Sequence, residues 1–300
     1  MADGNRIALI ILEDVPVEIK VLLVLLVVIL IFILILVTQK GGPLKTLIGI
    51  EGLELSFYQD EIPNLPKSDL IRQSFEKSID CFNQERYNDA LAFLKYALEE
   101  NPAREEKTAI YNFIGLSHMT LGNLPEAEEN FSNALDNAME PLGEAIVNGN
   151  LGIVYNIKGD LDKAITHHEK SLMINEELER KESIAKDYTN LGNLYRITDN
   201  LDKAIQWYEK SLKINEELER KESIAKDYTN LGNLYSIKGE PDKAIQWYEK
   251  SLELAYPNGF LDVIKIDLPY ALEIYTNQNK LDKAKELKQK FKEKYPQLEI

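Results

Sequence analysis

The sequence predicts an all-α protein, an α-solenoid of six helical hairpins preceded by one membrane-spanning helix. Three observations predict it. Residues 181–195, KESIAKDYTNLGNLY, return letter for letter at 221–235, and LDKAIQWYEKSL at 201–212 returns at 241–252 with only its first residue changed. Duplication at a fixed spacing means that one structural unit was copied. Within the unit, Tyr188, Leu191, Gly192 and Tyr195 fall at i, i+3, i+4 and i+7, and Ala204, Tyr208, Ser211 and Leu212 at i, i+4, i+7 and i+8. Each set is one face of a helix. The third observation is an unbroken run of seventeen Val, Leu, Ile and Phe residues from Val21 to Val37.

In chain order, residues 1–20 form an N-terminal tail and 21–38 the spanning helix. Seventeen residues at about 1.5 Å each cover roughly 26 Å, near the hydrocarbon thickness once Lys20 and Lys40 reach outward. A cleaved signal peptide is disfavoured because no small-x-small site follows the run. Orientation is nearly a tie: Arg6 and Lys20 precede the span, and Lys40 and Lys45 follow it. Acidic Asp3, Glu13, Asp14 and Glu18 in the tail lean the reading toward a cytoplasmic repeat domain in a single-pass membrane protein.

Residues 39–67 are a linker. Gly41-Gly42-Pro43 breaks the helix, and Pro63 and Pro66 mark a second non-helical stretch. Between them, 46–58 is too apolar for a solvated tether; it is expected to pack on the first hairpin or to lie along a groove of the array.

The array occupies 68–296. Aligning the small residue of DKAI gives Ala90, Ala127, Ala164, Ala204, Ala244 and Ala284, spaced by 37, 37, 40, 40 and 40 residues. The hairpins are expected at 69–100, 105–138, 142–178, 182–218, 222–257 and 261–295. Turn formers such as Thr198-Asp199-Asn200 and Lys238-Gly239-Glu240-Pro241 separate the two helices of a unit.

The pattern aromatic-x-x-Leu-Gly-x-x-Tyr followed by Ala-x-x-x-aromatic-x-x-small resembles the tetratricopeptide repeat family. The end units depart from it: Ser78 and Cys81 replace Gly and Tyr in the first, and Leu272 replaces Gly in the last. These units read as caps. The forty-residue spacing and the wording YTNLGNLY are most similar to the longer-repeat branch that includes kinesin light chains.

A formal charge of −15 argues against a nucleic-acid partner, which demands a basic stripe. The single cysteine, Cys81, excludes an intramolecular disulfide framework and reads as a small buried hydrophobe. His118 and His168 take core aromatic places, and His167 matches Trp207. No HExxH, CxxC pair, phosphate loop or nucleophile elbow is present. The reading is therefore non-catalytic, with no metal and no cofactor.

What remains is the open face of each first helix. At about 100° per residue from Tyr188, the side opposite the packing stripe carries Lys186, Asn190, Asn193 and Ile197. The same places hold Lys226, Asn230, Asn233 and Ile237 in the next unit. Upstream they hold Ile146, Asn150, Ile153 and Ile157, with Phe113 and Leu116 before them. The resemblance implies that this face lines a concave groove whose stacked asparagines grip an extended peptide backbone. Alternatively, the asparagines bond neighbouring repeats to one another. The groove runs from apolar to Lys- and Asn-rich, which suits a protein or peptide partner with apolar and acidic residues. Self-association into a membrane-bound scaffold is the second functional reading.

Overall fold

Apolar residues at helical spacing fold here into twelve α-helices, with no strand, in a computed structural model that describes residues 69–298. Helices α1 (Asp69–Asn83) and α2 (Tyr87–Glu99) form the first hairpin, and α3 (Arg104–Thr120) and α4 (Leu124–Asn137) the second. The third is α5 (Pro141–Lys158) with α6 (Leu161–Glu177), and the fourth α7 (Lys181–Ile197) with α8 (Leu201–Glu217). Then come α9 (Lys221–Ile237) with α10 (Pro241–Asn258), and α11 (Leu261–Asn277) with α12 (Leu281–Lys294). The tail 1–20, the expected span 21–38 and the linker 39–67 with its apolar 46–58 stretch lie outside the described residues. Among the described residues, no helix is long and apolar enough to cross a membrane.

Each hairpin turns on one residue in the left-handed region. Glu85, Gly122, Gly159, Asp199, Gly239 and Asn279 take φ of 61°, 82°, 79°, 58°, 72° and 57°. Four of the second helices then start on a side-chain cap or a first-turn proline: Asp160 and Asn200 accept from the backbone N–H of Lys163 and Lys203, and Pro125 and Pro241 lie in the first turns of α4 and α10.

Glycine sets how closely the two helices approach. A β-carbon on Gly115, Gly152, Gly192 or Gly232 would stand 2.6–2.9 Å from the ring of Phe131, His168, Tyr208 or Tyr248 respectively. The ring of the second helix therefore rests on bare backbone of the first. On the second helices, Ala90, Ala127, Ala164, Ala204 and Ala244 are all fully buried.

Between hairpins the chemistry changes along the array. Ala97 and Ile110, then Ala134 and Val147, occupy apolar places that later units fill with Ser171 and Asp187, and with Ser211 and Asp227. Asp187 Oδ2 accepts from Ser171 Oγ at 3.0 Å and Asn175 Nδ2 at 2.8 Å. Asp227 Oδ2 accepts from Ser211 Oγ at 3.2 Å and Asn215 Nδ2 at 2.7 Å. Asp267, one unit on, accepts from Thr229 Oγ1 at 2.8 Å. A buried carboxylate without such donors would be costly, so the serines and asparagines are required companions. Outside, Lys181–Glu217 pairs the two helices of the fourth hairpin at 2.9 Å, and Arg220–Glu182 and Lys238–Asp202 pair consecutive hairpins at 2.7 and 2.6 Å; surface pairs of this kind contribute little.

Candidate protein-interaction face

The first helices α5, α7, α9 and α11 present a repeated set of half-buried polar and apolar side chains. Asn193 and Asn233 each follow the packing glycine by one residue. There the buried tyrosines emerge: Tyr208 donates its hydroxyl to Asn193 Oδ1 at 2.7 Å, and Tyr248 donates to Asn233 Oδ1 at 2.6 Å. Burial pushes both phenols well above their ordinary range, so they stay protonated donors. With its carbonyl occupied, each asparagine is oriented and keeps its amide N–H groups for another acceptor.

Asn190 and Asn230 stand three residues before Asn193 and Asn233 on the same face. They are half-buried, and their side-chain amides make no hydrogen bond within the protein. Lys226 is half-buried and paired with Glu222 at 2.9 Å; Lys186, one unit before, is half-buried as well. Ile146, Ile153 and Ile157 are half-buried on α5, and Ile197 and Ile237 are exposed at the ends of α7 and α9.

Three expected groove residues lie elsewhere. Phe113, 3% exposed, packs edge-on against Phe75 at 5.1 Å and Phe82 at 6.1 Å, and Leu116 is completely buried. The phenylalanines of α1 cover Phe113, so the open face does not extend to α3 through these two residues. Asn150, 3% exposed, donates from Nδ2 to Asn112 Oδ1 at 2.8 Å and joins neighbouring repeats instead of facing a ligand.

The sequence reading also missed a residue. Tyr270 on α11 occupies the place of Asn190 and Asn230, is 46% exposed, and stacks on Tyr248 with centroids 5.7 Å apart. The forty-residue register alone identifies it. The face thus offers isoleucines on α5, amides and lysines on α7 and α9, and an aromatic ring on α11.

Elsewhere, His168 is buried beneath Gly152, and His167 stacks on Tyr155 and bonds Asn148 at 2.9 Å. Trp207 and Trp247 pack on Tyr188 and Tyr228, with Lys210 and Lys250 over the indoles at 4.0 and 4.2 Å. Among the described residues, no three His, Cys, Asp or Glu side chains are grouped to hold a metal.

The family model described as tetratricopeptide repeat matches residues 106–177, 143–217 and 183–256, together just over half of the chain. The chain belongs to the tetratricopeptide repeat family. Solved structures agree in fold. A STAND signal-transduction ATPase with a tetratricopeptide repeat sensor from Pyrococcus horikoshii superposes with a TM-score of 0.69 at 19% identity, covering 79% of this chain and 37% of that one. A putative kinesin light chain from Podosopora anserina with nearly identical TPR-like repeats gives 0.55 at 15%, covering 63% and 96%. BtubC (BKLC) from P. vanneervenii gives 0.54 at 18%, covering 79% and 90%. Among curated proteins, none matches. Tetratricopeptide repeats are typical of protein-interaction adaptors.

Proposed function

We propose that the chain is a non-catalytic adaptor that holds an extended segment of a protein partner across the open face of α5, α7, α9 and α11. One observation carries this reading: the half-buried amides of Asn190 and Asn230 are unoccupied on successive repeats, beside Asn193 and Asn233, whose orientation the tyrosines set. A half-buried amide gains from a partner that alternates donors and acceptors, as an extended backbone does. Isoleucines on α5 and Tyr270 on α11 suit apolar side chains at the two ends of the segment, and Lys186 and Lys226 suit carboxylates between them.

Residues 21–38 would attach the adaptor to a bilayer, with the array on the cytoplasmic side, so that tethering raises the partner's effective concentration. The test is a crosslinking pull-down from membranes with wild type and the Asn190→Ala/Asn230→Ala variant. Partner capture lost in the variant supports the groove; equal capture by both removes it. Deleting 21–37 tests the anchor separately, because protein that still pellets with alkali-washed membranes after the deletion would refute it.

A further inference from the structure

The last described helix, α12, carries the second site. On α8 and α10 the second helix of the hairpin carries three apolar residues that cluster with the first helix of the next hairpin. Ile205, Tyr208 and Leu212 of α8 cluster with Leu231 and Leu234 of α9, and Ile245, Tyr248 and Leu252 of α10 cluster with Leu268 and Ala271 of α11. Forty residues further, the same three places on α12 hold Lys285, Lys288 and Lys292. No seventh hairpin covers them among the described residues.

These lysines differ from the others on the same helix. Lys283, Lys290 and Lys294 lie over the rings of Tyr275 and Tyr256 at 4.4–5.5 Å, whereas Lys285, Lys288 and Lys292 make no ion pair, hydrogen bond or ring contact and are exposed. At about 100° per residue they fall within one arc of roughly 60° that also holds Leu281, 47% exposed. Asp282, Glu286 and Glu293 project well away from that arc. A surface evolved only for solubility intersperses the two signs, and this row carries one sign in a chain of net charge −15.

We infer that the α12 face is a docking surface for an acidic amphipathic helix of a partner protein, which lies on the array where the first helix of a seventh hairpin would lie. Continuity with the inter-hairpin interface supplies the geometry: α8 and α10 each receive a first helix on these three places. Lysine in place of Ile, Tyr and Leu sets the chemistry, calling for carboxylates at i, i+3 and i+7. In α9, Ile224, Asp227 and Leu231 hold that spacing against α8. The inference stands apart from the groove, since neither Asn190 nor Asn230 takes part in it.

The probe is a hydrocarbon-stapled peptide of the α9 sequence with Ile224→Glu and Leu231→Glu, added to the full-length protein and followed by fluorescence anisotropy. Binding is expected to weaken between ionic strengths on the order of 0.05 and 0.2 M as screening grows. The Lys285→Glu/Lys288→Glu/Lys292→Glu variant, with an unchanged melting temperature, is expected to bind at least about tenfold more weakly, and the triple Lys→Arg variant to retain binding. A peptide that fails to bind, or that binds the charge-reversed variant equally, overturns the inference. So does binding to phosphatidylserine vesicles without binding to the peptide, which would make the row a lipid contact.

Discussion

Gly192 lies against the ring of Tyr208, close enough that a β-carbon at Gly192 would stand 2.9 Å from Tyr208 Cε1. The ring is fully buried and its hydroxyl is held by Asn193, so it has little room to withdraw. Gly192→Ala is expected to cost about 1–3 kcal/mol through overpacking. Combining it with Tyr208→Leu should cost less than the sum of the single changes. Urea denaturation of the double-mutant cycle measures this, and strict additivity would show that the two sites do not touch.

The asparagines separate by a stability measurement. Asn150→Ala leaves the buried Asn112 without the amide that donates to it, and is expected to destabilise by about 1–3 kcal/mol. Asn190→Ala and Asn230→Ala break no intramolecular bond and are expected to stay within about 0.5 kcal/mol of wild type. Thermal melts of the three variants decide. Comparable losses at all three would place Asn190 and Asn230 in the structural framework and weaken the groove reading.

Asp227 links stability to pH. Burial raises its carboxyl to about 7, with the bonds from Asn215 and Ser211 opposing the rise and Glu216 adding to it. In the unfolded chain the carboxyl titrates near 4. Between about pH 4 and 7 the folded state holds the extra proton, so this group makes stability fall as pH rises through that window and level off above it. Asp227→Val with Ser211→Ala restores the apolar pairing seen in earlier repeats as Val147 and Ala134. The double variant is expected to flatten the slope and to be more stable at pH 8, since replacing buried charge by packed apolar groups is often stabilising. Denaturation midpoints at pH 5 and pH 8 test both statements.

Asp199 occupies a turn position where neighbouring units use Gly159 and Gly239, and its φ of 58° is in the left-handed region. A β-carbon there is strained, and Asp199→Gly is expected to raise stability by about 0.5–1 kcal/mol. No gain in the urea midpoint would mean that the aspartate side chain offsets its own strain.

The repeat itself, the hairpin turns and the packing glycines were legible because duplication and helical periodicity are local properties of the chain. A helix facing the same neighbours at every copy repeats the same residues, as Gly192 and Gly232 do beneath Tyr208 and Tyr248. Phe113 and Leu116 were misplaced because a helical wheel compares residues within one helix and holds no information on the size of side chains in the next hairpin. The buried row of Asp187, Asp227 and Asp267 was hidden for a related reason: a carboxylate reads as surface until its donors, sixteen or more residues away for Ser211 or Thr229, are brought to it.

By itself the sequence determined an all-α array of six hairpins, since copied amphipathic helices joined by tight turns have one economical way to bury their apolar stripes. Only the tertiary structure decided which of three equivalent asparagines is consumed by the framework and which two stay open. It also decided that three lysines stand where a further hairpin would pack. The physical reason is that register assigns a residue its direction, while the neighbouring helix decides whether anything is there to meet it.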